Sequence, residues 1–220
     1  MAKVGVILAG CGVFDGSEIH EAVCTLLALS QAGAQYQCLA PNTPQMHVVD
    51  HLKGQPVPGE SRNVLTEAAR IARGDIVPLS DVQVADYDAF IFPGGFGAAK
   101  NLCTFAFEGD SCSVQRDVER VIREAHAAKK PLAFVCIAPV IAAKVLGQDT
   151  SAKLTIGDDA ETAGAINTMG GRHLECPVKE ALVDVENKLV STPAYMKAQS
   201  IAEVYEGVKR TVDEVLKLIG

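Results

Sequence analysis

The 220-residue sequence predicts a doubly wound α/β protein, a mainly parallel sheet sandwiched by helices. Three observations predict it. Short apolar runs of strand length alternate with segments of helical period along the whole chain. Gly-rich or sharply turning stretches follow three of those runs, where a parallel sheet places its ligands. No repeat, low-complexity stretch or linker interrupts the alternation, so residues 1–220 read as one domain.

The first strand runs from Lys3 to Leu8 and enters a Gly-rich loop. A helix follows from about Ser17 to Ala32, with Ser17, Glu18 and Glu21 at its start and Gly33 closing it. Gln35 to Leu39 forms a second strand, ended by Pro41. The Pro-rich stretch Asn42 to Arg62 reads as a long excursion or short hairpin, and Asn63 to Arg73 as a helix stopped by Gly74. Ala89 to Phe92 is a buried strand running into Pro93-Gly94-Gly95-Phe96-Gly97. A helix from about Ser113 to Ala128 leads to the apolar strand before Cys136, and Pro139 opens the next helix. Beyond it lie a strand at Lys153 to Ile156 and a helix around Glu161 to Met169. Strands at Val183 to Val185 and Val190 to Thr192 precede a C-terminal helix from about Tyr195 to Ile219.

Composition narrows the partners. Hydrophobic residues make up 48% and charged ones 21%, as in an ordinary globular protein. A formal charge of −7 argues against a nucleic-acid partner, which calls for a basic face. No apolar run approaches the roughly 20 residues that span a bilayer, so no membrane partner is expected. Met1-Ala2-Lys3 leads straight into a strand pattern rather than a signal peptide. Seven cysteines, an odd number with no Cys-x-x-Cys pair, fit free thiols in a reducing compartment. The cytoplasm is the first expectation, and the mitochondrial matrix the alternative if a transit peptide has been removed.

Cys136 carries the strongest chemical signal. A thiol on the bend between a buried strand and a helix N-terminus has the nucleophile-elbow arrangement, with Cys in place of Ser. The helix end is expected to lower its pKa and favour the thiolate. A core cysteine that happens to end a strand is the alternative. The Gly94-Gly95 pair can bring backbone N–H groups close to a substrate oxygen, and with the Ile137 N–H would form an oxyanion hole. A plain tight turn is the competing reading there.

A thiol nucleophile needs a group to hold or move its proton. Glu18 and Glu21, in the first turn of the helix after the first strand, face the same sheet end as Cys136. A carboxyl kept protonated in a dry site would serve. His20 lies between them as a further candidate. Cys11, between two glycines, is a candidate second pocket thiol. His47 and His51 would suit a metal only on a helix and lack a third ligand, so no metal is expected. A nicotinamide site is disfavoured because the glycine spacing is one residue too long and the second strand lacks its terminal acid. No cofactor is expected.

The stretches Gly10 to Ala22, Ser61 to Glu67, Pro93 to Leu102, Cys136-Ile137-Ala138-Pro139 and Thr192 to Met196 run nearly end to end. Together they resemble the ElbB family of glyoxalases, in the PfpI-like branch of the class I glutamine-amidotransferase-like superfamily. The resemblance implies a flavodoxin-like sandwich, a homodimer and cofactor-independent conversion of glyoxal-type dicarbonyls to hydroxy acids such as glycolate. Older family names tie it to isoprenoid biosynthesis. It implies Glu21, rather than Glu18, as the partner of Cys136, with Gly95 and Ile137 as oxyanion donors. Ile137 stands where protease-like members place a histidine, which counts against proteolysis, and no His-x-Glu follows the elbow as a glutaminase would need. Asp158-Asp159-Ala160-Glu161 occupies the neighbourhood where related glyoxalases keep a histidine, which implies low activity. The expectation is therefore a glyoxalase using Cys136, Glu21, Gly95 and Ile137, with Gly94, Glu18, His20 and Cys11 around the substrate. The alternative is a non-enzymatic redox-sensing or interaction protein built on the same thiol.

Overall fold

A computed structural model describes residues 1–220. Its strands are β1 (Lys3–Ile7), β2 (Gln35–Ala40), β3 (Val49–Asp50), β4 (Gln55–Pro56), β5 (Ile76–Pro78), β6 (Ala89–Phe92), β7 (Leu132–Val135), β8 (Lys153–Leu154), β9 (Arg172–His173), β10 (Leu182–Asp184) and β11 (Leu189–Thr192). Its helices are α1 (Ile19–Gln31), α2 (Val64–Ile71), α3 (Phe96–Lys100), α4 (Phe105–Glu108), α5 (Arg116–Ala127), α6 (Pro139–Thr150), α7 (Ala160–Thr168) and α8 (Ile201–Ile219). Seven strands form the central sheet in the order β10-β11-β7-β6-β1-β2-β5. Only β10, paired with β11, is antiparallel. The remaining strands form two small pairs, β3 with β4 and β8 with β9.

Strand side chains alternate between the faces, and the sequence uses that alternation to build two cores. On one face Ile7, Leu39, Phe90, Phe92, Leu132 and Phe134 pack beneath α5 and α6, with Phe92 stacked on Phe134 at 4.7 Å between centroids. On the other, Val4, Val6, Ala89, Ile91, Ala133, Val135 and Val190 meet α1 and α8. Large aromatics thus share one face, and small or β-branched residues line the face where two helices approach closely.

From β1 the chain adds β2 and then β5 in one direction, and later β6, β7 and β11 in the other. The order reverses between β1 and β6, and a crevice opens beyond their carboxyl ends. The Gly10–Gly16 loop and the Gly94–Gly95 turn meet there. Backbone hydrogen bonds lace them together: Gly97 N–H to Gly16 O at 2.9 Å, Phe96 N–H to Val13 O at 2.8 Å and Glu18 N–H to Gly94 O at 3.0 Å. Such contact needs bare backbone, since a Cβ on Gly97 would lie 2.4 Å from the Gly16 Cα.

Several elements differ from the sequence reading. Helix α1 begins at Ile19, because Glu18 caps it while the Ser17 hydroxyl accepts from Ala9 N–H at 2.8 Å. The C-terminal helix begins at Ile201, capped by Ser200, and Tyr195 belongs to a short 3₁₀ turn. The edge strand β5 and the short helices α3 and α4 carry too few residues for a periodic signal. His47 and His51 flank the two-residue strand β3 rather than sharing a helical turn.

Candidate active site

Cys136 sits on the bend between β7 and α6 with φ of +63°, a left-handed conformation that L-residues adopt at a cost. Its N–H donates to Thr192 O at 2.9 Å, which ties the bend to the end of β11. The turn directs the sulfur into the crevice, where the backbone N–H groups of Gly95 and Ile137 donate to it. Gly95 reaches this position with φ of +96°.

Against the sulfur lies the carboxyl of Glu21, from the first turn of α1 and wholly buried. Glu21 is held from both sides: Oε2 accepts from Gly94 N–H at 3.0 Å and Oε1 from Tyr195 N–H at 3.2 Å. Gly94 is wedged between the two groups. A Cβ there would fall 2.5 Å from the Cys136 Cβ and 2.7 Å from Glu21 Oε2. The glycine therefore fixes the thiol–carboxyl contact and supports Glu21, rather than facing a ligand itself.

Burial and the neighbouring Glu18 carboxylate lift the Glu21 pKa from 4.5 to about 8, against the pull of its hydrogen bonds. At neutral pH Glu21 is thus mostly a neutral acid. The expected depression of the Cys136 pKa is not what this environment produces. With 7% exposure, burial and then a charged Glu21 push the thiol well up, and the Gly95 and Ile137 N–H groups oppose them. The helix-end effect is outweighed by desolvation. Glu21 therefore loses its proton before Cys136 does, and the charge it gains holds the thiol proton more tightly still. Ionisation of the sulfur becomes affordable only while Glu21 holds the proton and donates it as a hydrogen bond.

Above the sulfur is a cavity of about 540 Å³ lined by Val13, Glu18, Phe96, Ala99, Phe105, Ala106, Ile137, Asp159, Glu161, Thr162, Tyr195 and Met196, with Gly95 and Cys136 at its base. Glu18 therefore reaches the cavity as well as capping α1, where it accepts from Glu21 N–H at 2.8 Å. His20 is exposed and bonds Tyr195 Oη through Nδ1 at 2.7 Å, so it stands behind the cavity wall. Cys11 lies elsewhere, in a small polar recess with Asp15, Gln45, His51, Arg62 and Glu67. It does not share the cavity with Cys136, because the Gly loop turns its side chain to the far side. In that recess both His51 nitrogens are engaged, Nε2 by Phe14 N–H at 3.2 Å and Nδ1 by Val49 O at 3.0 Å.

Sequence reading brought Cys136, Glu21, Gly95 and Ile137 to one point and missed most of the cavity wall. Asp159 and Glu161 could be noticed only through the resemblance. Phe105, Ala106 and Tyr195 sit in short or irregular segments that carry no periodic signal.

No family model matches the chain. It is 51% identical over 228 residues to the human mitochondrial glutamine amidotransferase-like class 1 domain-containing protein 3, covering 100% of this chain and 84% of that protein. It is 37% identical over 234 residues to the mitochondrial ES1 protein of Danio rerio, covering 98% of this chain and 86% of that one. Among solved structures, an isoprenoid biosynthesis protein with an amidotransferase-like domain from Ehrlichia chaffeensis superposes with a TM-score of 0.93 at 38% identity, covering 100% of both chains. A DJ-1 superfamily protein from Salmonella typhimurium shares the fold, with a TM-score of 0.56 at 23% identity over 99% of this chain and 88% of that one. With its sheet, elbow and end-to-end similarity to these relatives, the chain belongs to the class I glutamine-amidotransferase-like proteins that include the mitochondrial ES1 homologues.

Proposed function

We propose that the protein is a cofactor-independent glyoxalase of the ElbB type, acting on small dicarbonyls. The observation that carries this reading is the buried pair of Cys136 and a mostly neutral Glu21 at the floor of an open cavity. In its ionised form Glu21 takes the thiol proton as the Cys136 sulfur attacks one aldehyde carbon of glyoxal, and the carbonyl electron pair becomes an oxyanion beside the Gly95 and Ile137 N–H groups. Protonation of that oxygen by Glu21 gives a hemithioacetal. The Glu21 carboxylate then removes the proton from the sulfur-bearing carbon. The resulting enediolate, its hydroxyl proton passed from one oxygen to the other, takes the proton back from Glu21 at the neighbouring carbon and becomes a glycolyl thioester. Water cleaves the thioester, releasing glycolate and the thiol, so that one water is consumed and no external oxidant is needed.

Purified protein incubated with glyoxal should form glycolate, and Cys136→Ala should abolish it. Full activity in that variant ends the reading. The low exposure of the sulfur weighs against a thiol whose main task is to meet peroxide in solution. The names of the mammalian and fish relatives favour mitochondria over the cytoplasm as the compartment. A homodimer, implied by the family resemblance, belongs to the same proposal.

A further inference from the structure

The cavity offers more than glyoxal can use. Two carbons and two oxygens would leave most of its 540 Å³ to water, whereas pockets of about 300–1,000 Å³ suit larger organic ligands. Its wall is largely apolar: Val13, Phe96, Ala99, Phe105, Ala106 and Met196 surround the approach to Cys136. The Asp and Glu side chains of the wall, Glu18, Asp159 and Glu161, face no lysine, arginine or histidine in it. Nearby cations are otherwise engaged. Lys197 pairs with Asp158, and Lys100 Nζ donates to Phe14 O at 2.9 Å.

An anion entering this space would approach three carboxylates and find no cationic counter-charge, in a chain already at −7. An apolar group would instead displace water from Phe105, Phe96 and Met196. Resting on the glyoxalase reading for its reaction but not for its recognition, we infer that the cavity admits to Cys136 uncharged or cationic electrophiles bearing an apolar substituent and turns away anionic ones.

Alkylation of Cys136 tests recognition without turnover. Its rate in the full chain would be followed by peptide mass spectrometry with iodoacetamide, iodoacetate and N-benzyl iodoacetamide, each divided by that reagent's rate on 2-mercaptoethanol. The expected order is N-benzyl iodoacetamide above iodoacetamide above iodoacetate, with about tenfold between neighbours. Asp159→Asn combined with Glu161→Gln should restore most of the iodoacetate rate, since the asparagine still caps α7. Phe105→Ala should remove the benzyl advantage, bringing the normalised N-benzyl iodoacetamide rate down to that of iodoacetamide measured on the same variant. Equal normalised rates for the three reagents would overturn the inference. Turnover of phenylglyoxal and glyoxal is measured alongside. Absence of both, with the alkylation order intact, would defeat the glyoxalase reading and support the selectivity. Turnover of glyoxal with equal normalised rates would do the reverse.

Discussion

The Glu21 carboxyl lies directly against the Cys136 sulfur, and Gly94 holds the two together by leaving no room for a side chain between them. An acid from the first helix and a thiol from the middle of the chain thereby meet at the switch point of the sheet.

Replacing Gly94 with alanine tests that arrangement sterically. Gly94 does not have a positive φ, so the effect would come from the Cβ colliding with Cys136 and Glu21. The variant should lose about 1–3 kcal/mol of stability. Displacement of the pair should also slow Cys136 alkylation by about a hundredfold. Denaturation and alkylation measured on the same preparation would check both.

Stability should depend on pH through Glu21. Its folded pKa is raised from 4.5 to about 8, so the folded state holds a proton that the unfolded chain has lost between those values. The contribution is complete below pH 4.5 and disappears as pH rises through 8. Glu21→Gln keeps the neutral hydrogen-bonding shape and cannot ionise. Between pH 5 and pH 9 the wild type should lose roughly 2–4 kcal/mol relative to that variant in urea unfolding.

Ionisation of the pair should be visible kinetically. The pH profile of Cys136 alkylation in the wild type should depart from a single titration curve, because the charge that appears on Glu21 raises the pKa of the thiol beside it. In Glu21→Gln one curve should suffice. A single curve in both proteins would mean that the groups do not interact.

The left-handed bend makes an unusual stability order. Glycine is ordinarily worse than alanine, but at φ of +63° it relieves the Cβ clash. Cys136→Gly should therefore be more stable than Cys136→Ala by about 1 kcal/mol. Both should be inactive in glycolate formation, and thermal unfolding of the two would settle the order.

His20 gives a control. Its ring bonds Tyr195 Oη outside the cavity, so His20→Ala should change the alkylation and turnover rates by less than about threefold. A large loss would place the imidazole in the reaction path.

Sequence alone determined the alternating architecture, the Cys136 bend and the convergence of its neighbours, because each rests on local pattern. Strand runs such as Ala89–Phe92, the proline opening α6 and the glycines at strand ends are legible within a few residues. Residue pattern left Glu18 and Glu21 both open and the family resemblance pointed to Glu21; the tertiary structure puts Glu21 against the sulfur. Glu18 turned out to be the helix cap, and one helical step further Glu21 points at Cys136. It likewise decided the protonation of the pair, since desolvation by surrounding segments outweighs the local pull of the helix end. The cavity wall was assembled from short helices and loops distant in sequence, and Cys11 was turned away from it by the path of a single glycine-rich loop. Local pattern reports conformation, while burial and charge at a site are sums over everything that packs around it.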